Sequence, residues 1–150
     1  MKTYKSNLPE IILKYKKGDT KKVKITSSQD CFNVFMEFYD QDTIELNESV
    51  IILYLNSGNN TIGWQKHSSG GMTQTVIDIR LIMTTALQCG ASSLILSHNH
   101  PSGQLKASPE DENITKRVKQ ACEALNIKLL DHIIVTPESG YYSFSDEGKI

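Results

Sequence analysis

Hydrophobic positions along the chain follow two patterns, continuous runs of strand length and stripes at helical spacing. Strands are predicted at 49–55, 93–97 and 127–135, of which the first two contain the short continuous apolar runs 50–55 and 94–96. Three helices are predicted where an apolar stripe follows residues that can cap a helix N terminus. The stripes are Phe32, Val34, Phe35 and Phe38 after Ser27; Ile79, Ile82, Met83, Ala86 and Leu87 after Thr75 and Asp78; and Ile114, Val118, Ala121, Cys122 and Leu125 after Ser108.

Weaker signals place the remaining segments of the chain. Further strands are predicted at 9–15, 21–25, 61–66 and 141–144, of which 61–66 returns from a turn over 56–60 as the hairpin partner of 49–55. Loops are predicted over 40–48, 68–71 and 98–107, where acidic, small or helix-breaking residues interrupt both patterns. Because strands and helices interleave, the predicted fold class is α/β (α+β mixed), a single-domain mixed β-sheet flanked by helices.

The composition is that of a globular chain. With 150 residues, 39% hydrophobic and 22% charged, the chain is long enough and apolar enough to bury a core, and one domain over 1–150 is predicted. No apolar run approaches the roughly 20 residues of a membrane helix. The first residues lack the apolar segment of a signal peptide. We therefore expect a cytoplasmic protein with no membrane partner.

Charge and cysteine content narrow the possible partners. The net charge of -1 argues against a strong electrostatic hold on nucleic acid by the whole domain. Residues 1–22 carry seven lysines against two acidic residues. This segment is either a small patch for an anionic partner or, as we favour, a set of solvated strand edges on which lysine discourages pairing. The three cysteines contain no C-x-x-C spacing, so neither a disulfide framework nor a cysteine-rich zinc site is expected.

Two histidines follow the predicted strand at 93–97. His98 and His100 are two residues apart, so in extended backbone both imidazoles project to one side and can begin a site for a divalent cation. Asp111, in the first turn of the next helix, can supply a third ligand. A His, His, Asp set that leaves a fourth position for water is a catalytic pattern, and it suits one zinc ion, with iron, manganese or nickel as alternatives.

Each part of this pattern also has a purely structural interpretation. Ser108, Pro109 and Asp111 are the expected N-cap, N1 and N3 residues of a helix start. A single H-x-H is more often structural than metal-binding. The combination of both elements at a fixed distance is what favours a metal site.

This combination resembles a known family motif. His98, His100, Ser108 and Asp111 match H-x-H-x7-S-x-x-D of the JAMM (MPN-type) metalloprotease superfamily without gap or insertion. The segments 98–103, 129–134, 142–144 and 147–148 are similar to the RadC branch of that superfamily. The resemblance covers about residues 45–150 and implies a JAMM/cytidine-deaminase-like sandwich of sheet and helices.

The resemblance also implies roles for individual residues. His98, His100 and Asp111 are the expected zinc ligands, and the glutamate that acts as general base corresponds to Glu48, with Glu45 as a weaker competitor. Ser108 is expected to donate a hydrogen bond to the developing oxyanion during hydrolysis of an amide or isopeptide bond in a peptide or protein substrate. His132 either orients a metal ligand or, as we favour from the sequence, packs under the sheet.

The sequence differs from members of the superfamily in two respects, and three other functions compete with the peptidase-type site. Asn99 stands where eukaryotic deubiquitinating members have serine or threonine, as in RadC-like proteins, and we expect no helix-hairpin-helix region of the kind that many RadC proteins carry. The traditional association of RadC with DNA repair suggests a role linked to nucleic acid, which only the basic N terminus supports. A non-catalytic scaffold is disfavoured because the ligand set is complete. A zinc deaminase is excluded because its H-x-E and P-C-x-x-C elements are absent. The sequence leaves the oligomeric state open.

Overall fold

The computed structural model describes residues 7–19, 21–69, 76–138 and 140–150. In these residues three helices flank one five-stranded sheet, in the chain order α1 Ser28–Phe38, β1 Ser49–Leu55, β2 Thr61–Ser69, α2 Ile79–Gln88, β3 Ser93–Asn99, α3 Pro109–Ala124, β4 Lys128–Val135 and β5 Tyr141–Ser143. The strand order is β2-β1-β3-β4-β5. Strands β3 and β4 run parallel and the other neighbours antiparallel, so the predicted mixed sheet is confirmed.

The central strands β1 and β3 are buried along their whole length, and so on both faces. Alternate residues of β1 point to opposite sides: Ile52 packs in the core that contains α2 and α3, and Leu53 packs in the core that contains α1. Helices therefore cover both faces of the sheet, which explains why β1 and β3 read as unbroken apolar runs.

The helix starts predicted at Ser27 and Ser108 are confirmed, whereas the second helix begins about one turn later than the Thr75-x-x-Asp78 capping signal predicted, with Asp78 as its N-cap. The Ser27 side chain accepts from the Asp30 N–H, the Asp78 side chain accepts from the Arg80 N–H, and Ser108 caps α3. Thr75, the other residue of the second capping signal, lies outside the described residues. Capping depends on residues within one turn, so the sequence was sufficient to locate the starts of α1 and α3.

The two predicted N-terminal strands are wrong. Residues 9–15 form no strand, and 21–25 contribute a single bridge between Lys24 and Asn60. The apolar side chains of the first segment stay in solvent, with Ile11 at 91% exposure. Its run Ile11-Ile12-Leu13 does not alternate, so a strand there would need cover on both faces, which the described part of the fold does not supply.

Two strand boundaries and two burial assignments also differ from the sequence prediction. Strand β2 continues to Ser69 and pairs with β1, because backbone pairing at a sheet edge does not require apolar side chains. Residues 70–71 of the predicted loop lie outside the described residues. His98 and Asn99 belong to β3 and not to the following loop. Leu87 and Leu125, assigned to buried helix faces, are 55% and 41% exposed because they lie at helix ends beyond the covered stripe.

Within the described residues, none of the helices has both the length and the apolar character needed to cross a bilayer.

Candidate metal centre

The candidate site lies where β3 ends and α3 begins. Strand β3, helix α3 and the parallel strand β4 form one crossover unit, which brings the carboxyl end of β3 to the N terminus of α3. His98 is the penultimate residue of β3, paired with Val50 on one side and Ile134 on the other. His100 follows the strand, and its backbone N–H donates to the Val135 carbonyl at 2.9 Å.

Three ligand-type side chains meet at this point. The Nε2 atoms of His98 and His100 are 2.9 Å apart. His98 Nε2 lies 3.2 Å from Asp111 Oδ1, and His100 Nε2 lies 3.3 Å from Asp111 Oδ2. One ligand atom from each residue falls within 4.8 Å of the others, and the structure thus brings together the three residues that the sequence proposed as ligands.

The His100 ring is held from behind by the loop that follows it. Its Nδ1 lies 2.8 Å from the Gln104 carbonyl oxygen, which can only accept, so Nδ1 carries the hydrogen. When His100 is neutral, its Nε2 is bare and can bind a cation; when His100 is protonated, Nε2 carries a second hydrogen that it can donate to Asp111. Burial lowers the pKa of His100, but hydrogen bonds to Asp111 and Gln104 outweigh burial and raise it.

Asp111 combines a capping role with its place in the cluster. Its Oδ2 accepts from the Ser108 backbone N–H at 2.8 Å, and its own N–H donates to Ser108 Oγ at 3.1 Å, which completes a capping box. Burial alone would raise the pKa of Asp111, but the contacts with His100 and His98 hold it far below its ordinary range. A carboxylate that stays ionised suits a cation.

The donor set fits a metal ion. Two imidazole nitrogens and a carboxylate are borderline ligands of the kind that zinc prefers, and in a tetrahedral site three protein ligands leave one position open. Each group is held by a further contact: His98 by His132, His100 by the Gln104 carbonyl and Asp111 by the Ser108 N–H. Such outer contacts are typical of metal sites.

A cleft of about 800 Å³ opens onto this cluster. Its lining includes all three ligand-type residues, Ser108 and the half-buried Glu48. Glu45, the competitor for the role of general base, is exposed and is not among the lining residues. Of the two glutamates, only Glu48 therefore shares the cleft with the candidate ligands.

Asn99 joins the strand that carries the histidines to the loop that carries Glu48. Its amide is fully buried, accepts from the Ser49 N–H at 2.7 Å, and donates to the carbonyls of Ile44 at 2.8 Å and Asn47 at 2.9 Å. The side chain points away from His98, as alternation along a strand requires. Asn99 thus fixes the distance between the loop and the end of β3.

His132 lies directly behind His98. His132 Nε2 is 2.7 Å from His98 Nδ1, and His132 Nδ1 is 2.6 Å from Thr115 Oγ1. Burial holds the pKa of His132 well below its ordinary value. The structure places this ring both under the sheet, stacked on Phe144, and against a candidate ligand, so the two sequence interpretations of His132 are compatible.

Comparison with known proteins identifies the family. The chain matches the family model of the RadC-like JAB domain over residues 25–149. The fold and the cluster are those of a mixed α/β domain with a candidate His and Asp metal site, and the chain belongs to the RadC-like JAB domain family. The match begins upstream of residue 45, where the sequence resemblance was first evident, and it includes helix α1.

Three relatives illustrate the similarity. The chain is 45% identical over 125 residues to a UPF0758 protein of Flavobacterium johnsoniae, an alignment that covers 83% of this chain and 53% of that protein. A UPF0758 protein of Aquifex aeolicus is 36% identical over 134 residues, which cover 89% of this chain and 56% of that protein. A UPF0758 protein of Porphyromonas gingivalis is 41% identical over 103 residues, which cover 69% of this chain and 45% of that protein. The chain spans about half the length of these relatives.

Sequence reasoning missed two residues that contact the cluster. Gln104 acts through its backbone, which no side-chain pattern reveals. Thr115 lies four residues after Asp111, a spacing that puts both on one helix face and that could have drawn attention to it.

Proposed function

We propose that this chain is a zinc-dependent hydrolase that cleaves amide or isopeptide bonds in a peptide or protein substrate. His98, His100 and Asp111 would hold one zinc ion, and the cleft would receive the scissile bond. The observation that carries the proposal is the convergence of two imidazole nitrogens and a carboxylate in the lining of one open cleft. Membership of the RadC-like JAB domain family supports it, because the superfamily resemblance implies a peptidase-type site.

Different residues of the cleft would activate the water, transfer its proton and stabilise the developing negative charge. Bound zinc would lower the pKa of a coordinated water to about 7 and so supply hydroxide at neutral pH. Glu48 accepts the proton of the attacking water and later donates it to the leaving amine nitrogen. The Ser108 hydroxyl donates a hydrogen bond to the carbonyl oxygen as negative charge develops, a contribution on the order of 3 kcal/mol in comparable sites.

Two observations support these roles. Ser108 Oγ acts as acceptor toward the Asp111 N–H, so its hydroxyl hydrogen is not used by the cap and a hydroxyl can serve both partners. Glu48 directly precedes β1 and lines the cleft, and its charge contributes to the raised pKa of His100, which is consistent with proximity.

Metal content tests the binding half of the proposal. The purified chain should contain about one zinc per molecule by elemental analysis after reconstitution, and His100→Ala should lose it. His67→Ala is the matched control, because His67 is a histidine outside the cluster that accepts from the Asp78 N–H. A wild-type protein that takes up no zinc would overturn the proposal.

Cleavage tests the catalytic half. The zinc-loaded chain is incubated with a mixed peptide library, and new N termini are identified by mass spectrometry. Wild type should cleave, while Glu48→Gln should keep its zinc and lose cleavage, because glutamine cannot accept the proton. A zinc-loaded Glu48→Gln protein with full activity would remove Glu48 from the mechanism.

A further inference from the structure

A row of buried groups leads from the back of His98 to the backbone of Asp111. His98 Nδ1 is 2.7 Å from His132 Nε2, His132 Nδ1 is 2.6 Å from Thr115 Oγ1, and Thr115 Oγ1 is 2.6 Å from the Asp111 carbonyl oxygen. His98, His132 and Thr115 are each at most 3% exposed. The row therefore begins at one candidate ligand and ends at the main chain of another, without contact with bulk solvent.

The carbonyl at one end fixes the direction of these hydrogen bonds. The Asp111 carbonyl oxygen can only accept, so the single hydroxyl hydrogen of Thr115 points to it. The Thr115 oxygen must then accept from His132 Nδ1, because two acceptor atoms 2.6 Å apart would repel each other. His132 therefore carries a hydrogen on Nδ1.

The direction continues through His132 to His98. His132 is buried and stacked on the Phe144 ring at 4.7 Å between centroids, surroundings that disfavour the doubly protonated, charged ring. A neutral His132 has its lone pair on Nε2 and accepts there from His98 Nδ1. His98 Nε2 is then left with a lone pair 2.9 Å from His100 Nε2 and 3.2 Å from Asp111 Oδ1. The short distance between the two nitrogens requires either a hydrogen on His100 Nε2 or a cation between them, because two bare acceptors would repel each other.

We propose that Thr115, acting through His132, holds the hydrogen of His98 on Nδ1 and so keeps the Nε2 lone pair directed at the metal position. Thr115 and His132 are positioning residues in this arrangement, since neither lies among the ligand atoms. The inference rests on the proposed zinc site. It adds that Thr115, on the helix that supplies Asp111, determines the tautomer of His98.

The position of the hydrogen can be read directly by nuclear magnetic resonance. The full chain, treated with a chelator and labelled with ¹⁵N-histidine, is examined at about pH 8, where a free imidazole is neutral. Long-range ¹H–¹⁵N correlations should show His98 and His132 protonated on Nδ1. A wild-type His98 protonated on Nε2 would overturn the proposal, whether or not the protein binds zinc.

Thr115→Val tests the direction of the effect. Valine has nearly the same shape but leaves His132 Nδ1 without an acceptor, so the His132 hydrogen should move to Nε2 and the His98 hydrogen should follow to its own Nε2. Thr115→Ser restores the hydroxyl and should restore the wild-type spectrum. A change in packing alone would not exchange the protonated nitrogens, so an unchanged His98 spectrum in Thr115→Val would contradict the proposal.

Zinc affinity provides the second measurement. In competition with a chromogenic chelator, Thr115→Val should bind zinc about 10–100-fold more weakly, the usual cost of losing an outer contact of a ligand. The matched control is Thr84→Val, which removes a hydroxyl that likewise donates to the carbonyl four residues earlier, at 2.7 Å from Arg80, on an exposed helix face. Equal affinities for wild type and Thr115→Val would overturn the proposal, whereas a wild type without zinc would refute the proposed function and leave the spectra to decide this inference.

Discussion

Replacing Asn99 should separate the loop that carries Glu48 from the strand that carries His98. Asn99→Ala removes three buried hydrogen bonds, one from the Ser49 N–H and two to backbone carbonyls in 44–47. Each contributes about 1 kcal/mol, and more where the partner stays buried. We therefore expect a loss of about 3 kcal/mol in the free energy of unfolding, or about 6–12 °C in Tm for a domain of this size.

Urea unfolding and hydrogen exchange together test this expectation. The exchange of backbone amides in 44–49 should accelerate in Asn99→Ala, because the loop loses its tie to β3, while amides of the central strands change only with global stability. Asn113→Ala, on the exposed face of α3, is the control and should stay within about 0.5 kcal/mol of wild type. A stability loss below about 1 kcal/mol in Asn99→Ala, with unchanged exchange in the loop, would refute the reasoning.

Three further outcomes are expected. Zinc at 100 times its Kd should stabilise wild type by about 2.7 kcal/mol in urea unfolding, and a similar gain in Asp111→Asn would argue against Asp111 as a ligand. Ser108→Ala should lower the free energy of unfolding by about 1 kcal/mol because α3 loses its N-cap, whereas Ser108→Asp keeps an acceptor at this position and should lose less. Equal losses for the two variants in thermal unfolding would contradict the capping explanation. Burial raises the folded-state pKa of Asp131, so folding favours its protonated form and this contribution is lost as pH rises through that pKa. The free energy of unfolding of Asp131→Asn, relative to that of wild type, should therefore be highest near pH 7 and lowest near about pH 4. The reverse order in unfolding measurements at these two pH values would contradict the raised pKa.

The ligand-type residues could be predicted from the sequence because they are close together in it. His98, His100, Ser108 and Asp111 fall within 14 residues, and one strand end followed by one helix start determines where all four point. The cap at Ser27 was predictable for the same reason. Interactions that span one turn leave a pattern that can be read without knowledge of the fold.

The contacts behind the site depend on how distant segments pair. His132 reaches His98 because β3 and β4 are parallel neighbours with Leu96 opposite His132, a register that also includes an irregularity near Leu94. Thr115 reaches His132 because α3 packs on that face of the sheet. The wrong strand at 9–15 has the same origin, since an apolar run indicates a strand only where the rest of the fold covers it.

The two interpretations of the segment from Ser108 to Asp111, helix cap or metal site, describe one arrangement of atoms. The backbone N–H of Ser108 holds Asp111 Oδ2 at 2.8 Å, and this contact turns Oδ1 toward His98 Nε2 at 3.2 Å. The capping box thus fixes the side-chain rotamer that a ligand needs, so little conformational freedom remains to be lost when a cation binds. The Asp111 carbonyl meanwhile accepts from the Thr115 hydroxyl, at the end of the row of hydrogen bonds that begins at His98. The capping interactions of this helix start therefore also arrange two of the three proposed ligands.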